Sequence, residues 1–67
     1  MADETATGQT LHELNNALTR ILTTAELIAS DAPADGQTAR DARDIRTAAL
    51  DARRLVQLLS SQVAADR

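Results

Sequence analysis

The single histidine of this chain, His12, is the side chain best suited to covalent chemistry. The sequence contains no cysteine, tyrosine, tryptophan or phenylalanine, so few other side chains offer nucleophilic or redox chemistry. A neutral imidazole is a good nucleophile near pH 7 without further activation. His12 follows Leu11 at the edge of an apolar stripe, so we expect its ring to be exposed beside a hydrophobic core. The plain alternative is an ordinary histidine on a helix surface.

Two polar residues near His12 are placed to assist chemistry at the ring. Glu13 follows it directly, and its carboxylate can take a proton from the ring or fix its tautomer. Asn16 comes four residues later, which on a helix is one turn away on the same face. Each has a plainer interpretation. Glu13 stands three residues after Thr10, as in a capping box, and Asn16 is a neutral polar residue suited to a surface.

Three threonines follow within three helical turns of His12. Threonine has modest helix propensity, so three of them in six residues call for a reason. One reason is that their hydroxyls bond carbonyls of the preceding turn, and the other is contact with a partner. The residues are Thr19, Thr23 and Thr24.

Apolar residues recur at steps of three and four on both sides of a segment containing Pro33 and Gly36. This is the period of an α-helix, and the proline marks a turn. We therefore predict a flexible tail over 1–9, a helix over about 10–30, a turn over 31–37, a helix over about 38–63 and a frayed end over 64–67. Thr10 with Glu13 and Thr38 with Asp41 have the form of capping boxes that start the two helices. The apolar residues are Leu11, Leu14, Leu18, Ile21, Ala25 and Ile28, then Ile45, Ala48 or Ala49, Ala52, Leu55 or Val56, Leu59 and Val63.

The length of 67 residues predicts that the hairpin does not act alone. A chain of this size buries only about 60% of its unfolded surface and is marginally stable. Without cysteines it has no disulfide, and one histidine without thiols makes no zinc cage. Two helices cover one strip of each other and leave the rest of a wide apolar stripe exposed. We therefore predict an all-α fold, an antiparallel helical hairpin that dimerises into a four-helix bundle.

Charge and hydropathy narrow the classes of function. The net charge of −3 argues against a nucleic-acid-binding protein, which usually carries a basic face. All seven basic residues are arginines, and most lie among aspartates between residues 40 and 54, as expected for a solvated helix face. No apolar run approaches the ~20 residues of a membrane span, and the N-terminus lacks a signal-peptide pattern. We expect a cytoplasmic protein.

The run from His12 to Leu18 reads His-Glu-Leu-Asn-Asn-Ala-Leu. It resembles the phosphoacceptor box of the dimerisation and histidine-phosphotransfer domain of sensor histidine kinases. That box has an apolar and a polar residue after His-Glu, then Asn or Thr, and often Pro and Leu. Ala17 replaces the proline here, which removes a helix kink found in many members. The similarity extends to about Leu59, and its continuation resembles the His-Glu-Phe-Asn-Asn subgroup at Ile21, Leu22, Ala25, Glu26 and Leu27.

The resemblance implies a role in bacterial two-component signalling. His12 would accept a phosphoryl group from an ATP-bound kinase domain or a receiver-domain aspartate, and pass it to an aspartate of a response regulator. Glu13 would act as base or orienting group, and Asn16 would position water when a bound regulator is dephosphorylated. The residues implied to contact the receiver domain are Thr19, Thr23 and Thr24.

The resemblance also implies which parts other molecules supply. The chain has no glycine-rich ATP lid and no asparagine-bearing ATP-binding box, which family kinases carry on a separate domain. We therefore expect no cofactor in this chain, with ATP and Mg²⁺ held by a separate kinase domain. The implied partners are a second copy of the chain, a response-regulator receiver domain and a histidine-kinase ATP-binding domain. Whether the chain is an excised domain or a complete small protein stays open.

Two alternatives to phosphotransfer stay open at this point. One is a catalytically silent dimer of the same fold that binds a kinase or response regulator and inhibits it. The other is a plain dimerising helical hairpin in which His12 is incidental. Phosphotransfer and the silent inhibitor differ in whether phosphorylated His12 ever forms. The plain hairpin predicts that neither receiver domains nor kinase domains bind.

Overall fold

A computed structural model describes residues 2–65 of the chain, with side chains described over 7–65. It contains two α-helices, α1 over Ala2–Asp31 and α2 over Gln37–Ala65, packed against each other as a hairpin. The described residues span 50 × 15 × 11 Å, which matches two antiparallel helices of about 45 Å each. The predicted all-α hairpin is confirmed. The pairing of two hairpins stays a prediction.

The start of α1 corrects the predicted boundary. The helix begins at Ala2 and not near Thr10, so residues 2–9 are helical where a tail was predicted. Propagating an existing helix fixes one residue per hydrogen bond and needs no apolar face, so the packed part of α1 supports this extension. Thr10 and Glu13 consequently lie inside the helix, where they are not a capping box. Met1 lies outside the described residues.

The loop between the helices is short and closed by backbone hydrogen bonds. The Ala32 N–H donates to the Ile28 carbonyl at 3.1 Å, and Pro33 then ends the helix. The Gly36 N–H donates to the Pro33 carbonyl at 3.0 Å, which forms a four-residue turn. A Cβ added to Gly36 would lie 3.3 Å from the Pro33 oxygen, so this close approach favours glycine.

α2 begins one residue before its predicted start. The Arg40 N–H donates to the Gly36 carbonyl at 3.2 Å, so Gly36 occupies the N-cap position predicted for Thr38. The side chain of Asp41 instead accepts a hydrogen bond of 2.7 Å from Gln37. At its other end α2 continues to Ala65, two residues past the predicted 63, and residues 66 and 67 lie outside the described part.

The helices touch along rows of residues spaced by seven. Seven residues are close to two helical turns, so each row stays on one side of its helix. Among the described residues only Leu11, Leu18 and Val56 are buried side chains larger than alanine, so the core is thin. The buried row of α1 is Leu11, Leu18 and Ala25; the row of α2 is Ala42, Ala49 and Val56, with half-buried Val63 packed on the cluster.

A second row in each helix stays exposed, as predicted for the part of the apolar stripe that two helices cannot cover. These side chains are between 40% and 47% exposed, because the other helix covers only the first row. Ile21, Ile28 and Ile45 line one groove on the same side of the hairpin. We call this side the apolar face, and it consists of Leu14, Ile21, Ile28, Ile45 and Leu59.

Candidate functional site

His12 lies on α1 near the open end of the hairpin, away from the loop, and its side chain is exposed. It lies next to buried Leu11, as the sequence predicted. Nine residues, or two and a half turns, separate it from Ile21, so the two side chains lie on opposite sides of α1. A dimer formed through the apolar face would therefore leave the His12 ring accessible.

The ring of His12 borders an open groove between the two helices. We call it the His12 groove, and its volume is about 650 Å³. The side chains of Leu11 and Val56 form an apolar floor, with polar groups along the rim. The rim side chains used below are Asn15 from α1 and Gln57 and Ser60 from α2.

Asn16 is in contact with the ring of His12. Its side-chain nitrogen Nδ2 lies 3.5 Å from Nε2 of His12, one turn earlier, and both side chains are exposed. A carboxamide nitrogen carries two protons and accepts nothing, so it can only donate to this ring nitrogen. The predicted proximity of these two side chains is confirmed, and the contact is made at Nε2.

Glu13 is exposed and makes no hydrogen bond to His12 among the described residues. Successive residues on a helix are 100° apart, so i and i+1 side chains do not face each other. Because α1 extends through Thr10, the capping role that competed for this carboxylate also lapses. Within the described part of the chain, no hydrogen bond holds the Glu13 carboxylate, and a change of rotamer is needed to bring it to the ring.

The three threonines do not form one surface. Thr19 follows His12 by seven residues on the same side of α1, and its hydroxyl donates to the Asn15 carbonyl at 2.9 Å. This is the local structural role that the sequence left open for these residues. Thr23 lies one turn beyond Thr19 on that side. Thr24 instead lines the groove of the apolar face with Ile21.

α2 contributes residues to the His12 side that the sequence pattern did not indicate. His12, Thr19 and Glu26 are spaced by seven along α1, and the antiparallel partner row is Arg46, Arg53 and Ser60. The two rows are joined by an ion pair, with Nε of Arg46 3.3 Å from Oε2 of Glu26. Periodicity defines the face of each helix, but only the structure gives the register between the helices.

Among the described side chains, two buried polar atoms lie along this side without a hydrogen-bond partner. They are Oδ1 of Asn15, an acceptor, and Nε of Arg53, a donor. Buried polar atoms are usually paired, so this strip is incompletely satisfied within one hairpin. Asn15 also lies on the rim of the His12 groove.

Two arginines of α2 donate hydrogen bonds to the backbone of the loop between the helices. Arg40 donates through Nη2 to the Asp35 carbonyl at 2.9 Å, and Arg43 donates through both terminal nitrogens to the Ala34 carbonyl at 3.3 Å. Hydrogen bonds from charged donors are stronger than those between neutral groups. These arginines, predicted only as a solvated face, therefore fix the loop to α2.

Among the side chains described over 7–65, no three of the metal-binding types come together as a possible ion site. Neither of the two helices contains a window apolar enough to cross a membrane. Comparisons of the chain with protein-family models, with curated proteins and with solved structures found no match.

Proposed function

We propose that this chain is a histidine phosphoacceptor of two-component signalling, with His12 as the residue that carries the phosphoryl group. The observation that supports this most strongly is the exposed His12 ring, whose Nε2 lies beside the Asn16 amide at the edge of an open groove. The resemblance of residues 12–18 to the phosphoacceptor box supports the same role.

Phosphoryl transfer requires only two groups of this chain, the acceptor His12 and a base. The Nε2 lone pair attacks phosphorus, the N–P bond forms, and the P–O bond to the donor breaks with its electron pair left on the donor oxygen. The proton on Nδ1 then leaves to a base, for which Glu13 is the nearest carboxylate in sequence. When the donor is ATP, a separate kinase domain binds the nucleotide and Mg²⁺. The reverse attack, by an aspartate of a receiver domain, passes the group on.

The second part of the proposal is a homodimer formed through the apolar face. Five large apolar side chains remain about half exposed there in two seven-residue rows, which is the pattern of a four-helix bundle with half of its core uncovered. A contiguous apolar patch of this kind is typical of an interaction site. Such a dimer would carry two His12 rings on its outer surfaces.

The experiment uses the whole chain with two phosphoryl donors, a phosphorylated receiver domain and a kinase catalytic domain with radiolabelled ATP. We expect acid-labile, alkali-stable label on the wild-type chain, as for a phosphohistidine. His12→Ala should carry none yet keep its helical circular dichroism, because exposed residues contribute little to packing. If both proteins are labelled equally, the acceptor is another residue and the proposal is wrong.

A second candidate is a silent dimer that binds a kinase or a receiver domain and inhibits it. The missing contact between Glu13 and the His12 ring favours this reading over transfer. Binding of either domain without label on His12 under both donors would replace the phosphotransfer proposal with the inhibitor. Binding of neither domain would leave a plain dimerising hairpin.

A further inference from the structure

We propose that Asn16 is a positioning residue that holds His12 in the Nδ1–H tautomer and so keeps Nε2 unprotonated. This goes beyond the water-positioning role implied for Asn16, because it acts on the histidine before any phosphoryl group arrives. Its consequence for transfer rests on the proposed function. The tautomer itself does not, and it can be measured without any phosphoryl donor.

The chemistry of the Asn16 carboxamide and the His12 imidazole determines which tautomer the contact favours. The near atom of Asn16 is the amide nitrogen, 3.5 Å from Nε2, and it has protons but no lone pair to offer. Nε2 must then be the acceptor, and a neutral imidazole with Nε2 as acceptor carries its proton on Nδ1. The alternative tautomer would point an N–H at an N–H₂ group, which is repulsive.

No other described group competes for the ring. Glu13, the adjacent carboxylate, makes no hydrogen bond to it, and Nδ1 has no partner among the described side chains. Asn16 is therefore the single polar contact that distinguishes the two ring nitrogens. Because the sequence contains only one histidine, the state of this ring can be read without overlap from others.

The tautomer matters because it decides which nitrogen can attack. In the Nδ1–H form the Nε2 lone pair is held by a weak, exposed hydrogen bond that a rotation of the Asn16 side chain releases. Nε2 then forms the N–P bond, the donor P–O bond breaks, and the Nδ1 proton leaves to a base. In the Nε2–H form that nitrogen has no lone pair in the ring plane and must first exchange its proton with water.

The test is the tautomer ratio of His12, measured by two-dimensional ¹H–¹⁵N long-range correlation NMR on the uniformly ¹⁵N-labelled full chain. The measurement is made in alkaline solution, where imidazole side chains are neutral. We expect a larger Nδ1–H fraction in the wild type than in Asn16→Ala. In Asn16→Ala the ratio should move toward Nε2–H by about two- to threefold, the size expected for one exposed hydrogen bond.

A third variant tests the direction of the effect. Asn16→Asp replaces the donor by an acceptor of the same shape, so it should favour Nε2–H more than Asn16→Ala does. The matched control is Asn15→Ala, the same change at the neighbouring position. The Asn15 side chain makes no hydrogen bond to the ring among the described residues, so this change should leave the ratio at its wild-type value. Circular dichroism checks that every variant is folded.

Two outcomes would overturn the inference: an Nδ1–H fraction in the wild type no larger than that in Asn16→Ala, or the same ratio in wild type, Asn16→Ala and Asn16→Asp. Failure of the proposed function looks different. A wild-type chain whose Nδ1–H fraction depends on Asn16, but that never carries phosphate, would keep the positioning role of Asn16 and remove phosphotransfer. Where transfer does occur, Asn16→Asp should accept phosphate more slowly than Asn16→Ala.

Discussion

Dimerisation through the apolar face can be tested with two separate variants, each of which places an aspartate at an exposed aliphatic position of α1. Ile21 is 46% exposed and lies on the apolar face. Leu27 is 61% exposed, but nine residues separate it from buried Leu18, so it points directly away from α2. Ile21→Asp should disrupt the dimer, and Leu27→Asp should not. Leucine has a higher helix propensity than isoleucine, so the loss of propensity alone would make Leu27→Asp the more costly change, and a larger effect of Ile21→Asp on the dimer must come from its position.

The expected size follows from the exposed surface of Ile21. Burying a whole isoleucine side chain contributes about 1.5–3 kcal/mol, so covering its exposed half in a dimer contributes about 1 kcal/mol per copy. The aspartate loses this contribution and places an unpaired carboxylate in the interface, which costs about 3–5 kcal/mol when fully buried and about half of that here. For both copies the loss is about 5–7 kcal/mol, which weakens the dimer more than about a thousandfold.

Sedimentation equilibrium over a range of concentrations measures this effect. The wild type and Leu27→Asp should fit a dimer of about 14 kDa, twice the 7.1 kDa of the chain, and Ile21→Asp should fit a monomer. A charged residue in place of Leu59 should act like Ile21→Asp. A wild-type monomer that unfolds cooperatively at micromolar concentration would refute the reasoning, as would equal dissociation constants for the two aspartate variants.

Three further predictions concern the site and the stability of the hairpin. Glu13→Gln should slow phosphorylation of His12 about tenfold or more in a time course, because general bases contribute about 10²–10⁴-fold to rate. The thermal unfolding midpoint should stay unchanged, because Glu13 makes no hydrogen bond among the described residues. An unchanged rate would remove Glu13 as the base. A double-mutant cycle with Glu26→Gln and Arg46→Gln in urea unfolding should give a coupling of about 0.2–1 kcal/mol, since both side chains are half exposed, and a coupling near zero would show that this ion pair does not hold the helices together. Gly8→Ala should stabilise the chain by about 0.5–1 kcal/mol, because a Cβ there meets nothing within 4 Å inside a helix, whereas Gly36→Ala should destabilise it through the approach to the Pro33 oxygen; the opposite order in thermal unfolding would contradict the described turn.

The hairpin itself could be predicted from the sequence because two physical signals agree. Apolar residues at steps of three and four define an amphipathic helix, and Pro33 interrupts the pattern once. The start of α1 could not be predicted in this way. Residues 2–9 have no apolar period, and their helix is supported by propagation from the packed segment after Thr10.

The division of the apolar stripe also lay beyond the sequence. Leu18 and Ile21 both belong to a stripe of the right period, yet only Leu18 is buried in the hairpin. An apolar stripe wide enough for two partners does not indicate which half packs against α2 and which half is left for a second partner. The sequence pattern also does not give the register between the helices. The positions of Ser60 and Arg46 on the His12 side follow from the packing of α2 against α1 and could not be predicted.

The neighbours of His12 were predicted with mixed accuracy. The spacing of four residues correctly placed Asn16 against the ring, because that spacing is one helical turn. It gave no information on which ring nitrogen Asn16 touches. The contact of Thr19, Thr23 and Thr24 with a partner stays a prediction; Thr24 follows Thr23 by 100° and lies on the apolar side.

The measurement that tests the central claim most directly is the site of phosphorylation in the intact chain. The wild-type protein is incubated with a phosphorylated receiver domain, kept alkaline, and fragmented in a mass spectrometer by a method that preserves the labile N–P bond. The phosphotransfer account predicts a phosphoryl group on the fragment that contains His12, and none on any fragment of His12→Ala. A phosphoryl group on a serine or threonine, or an unmodified wild-type chain that nevertheless binds the receiver domain, would contradict it.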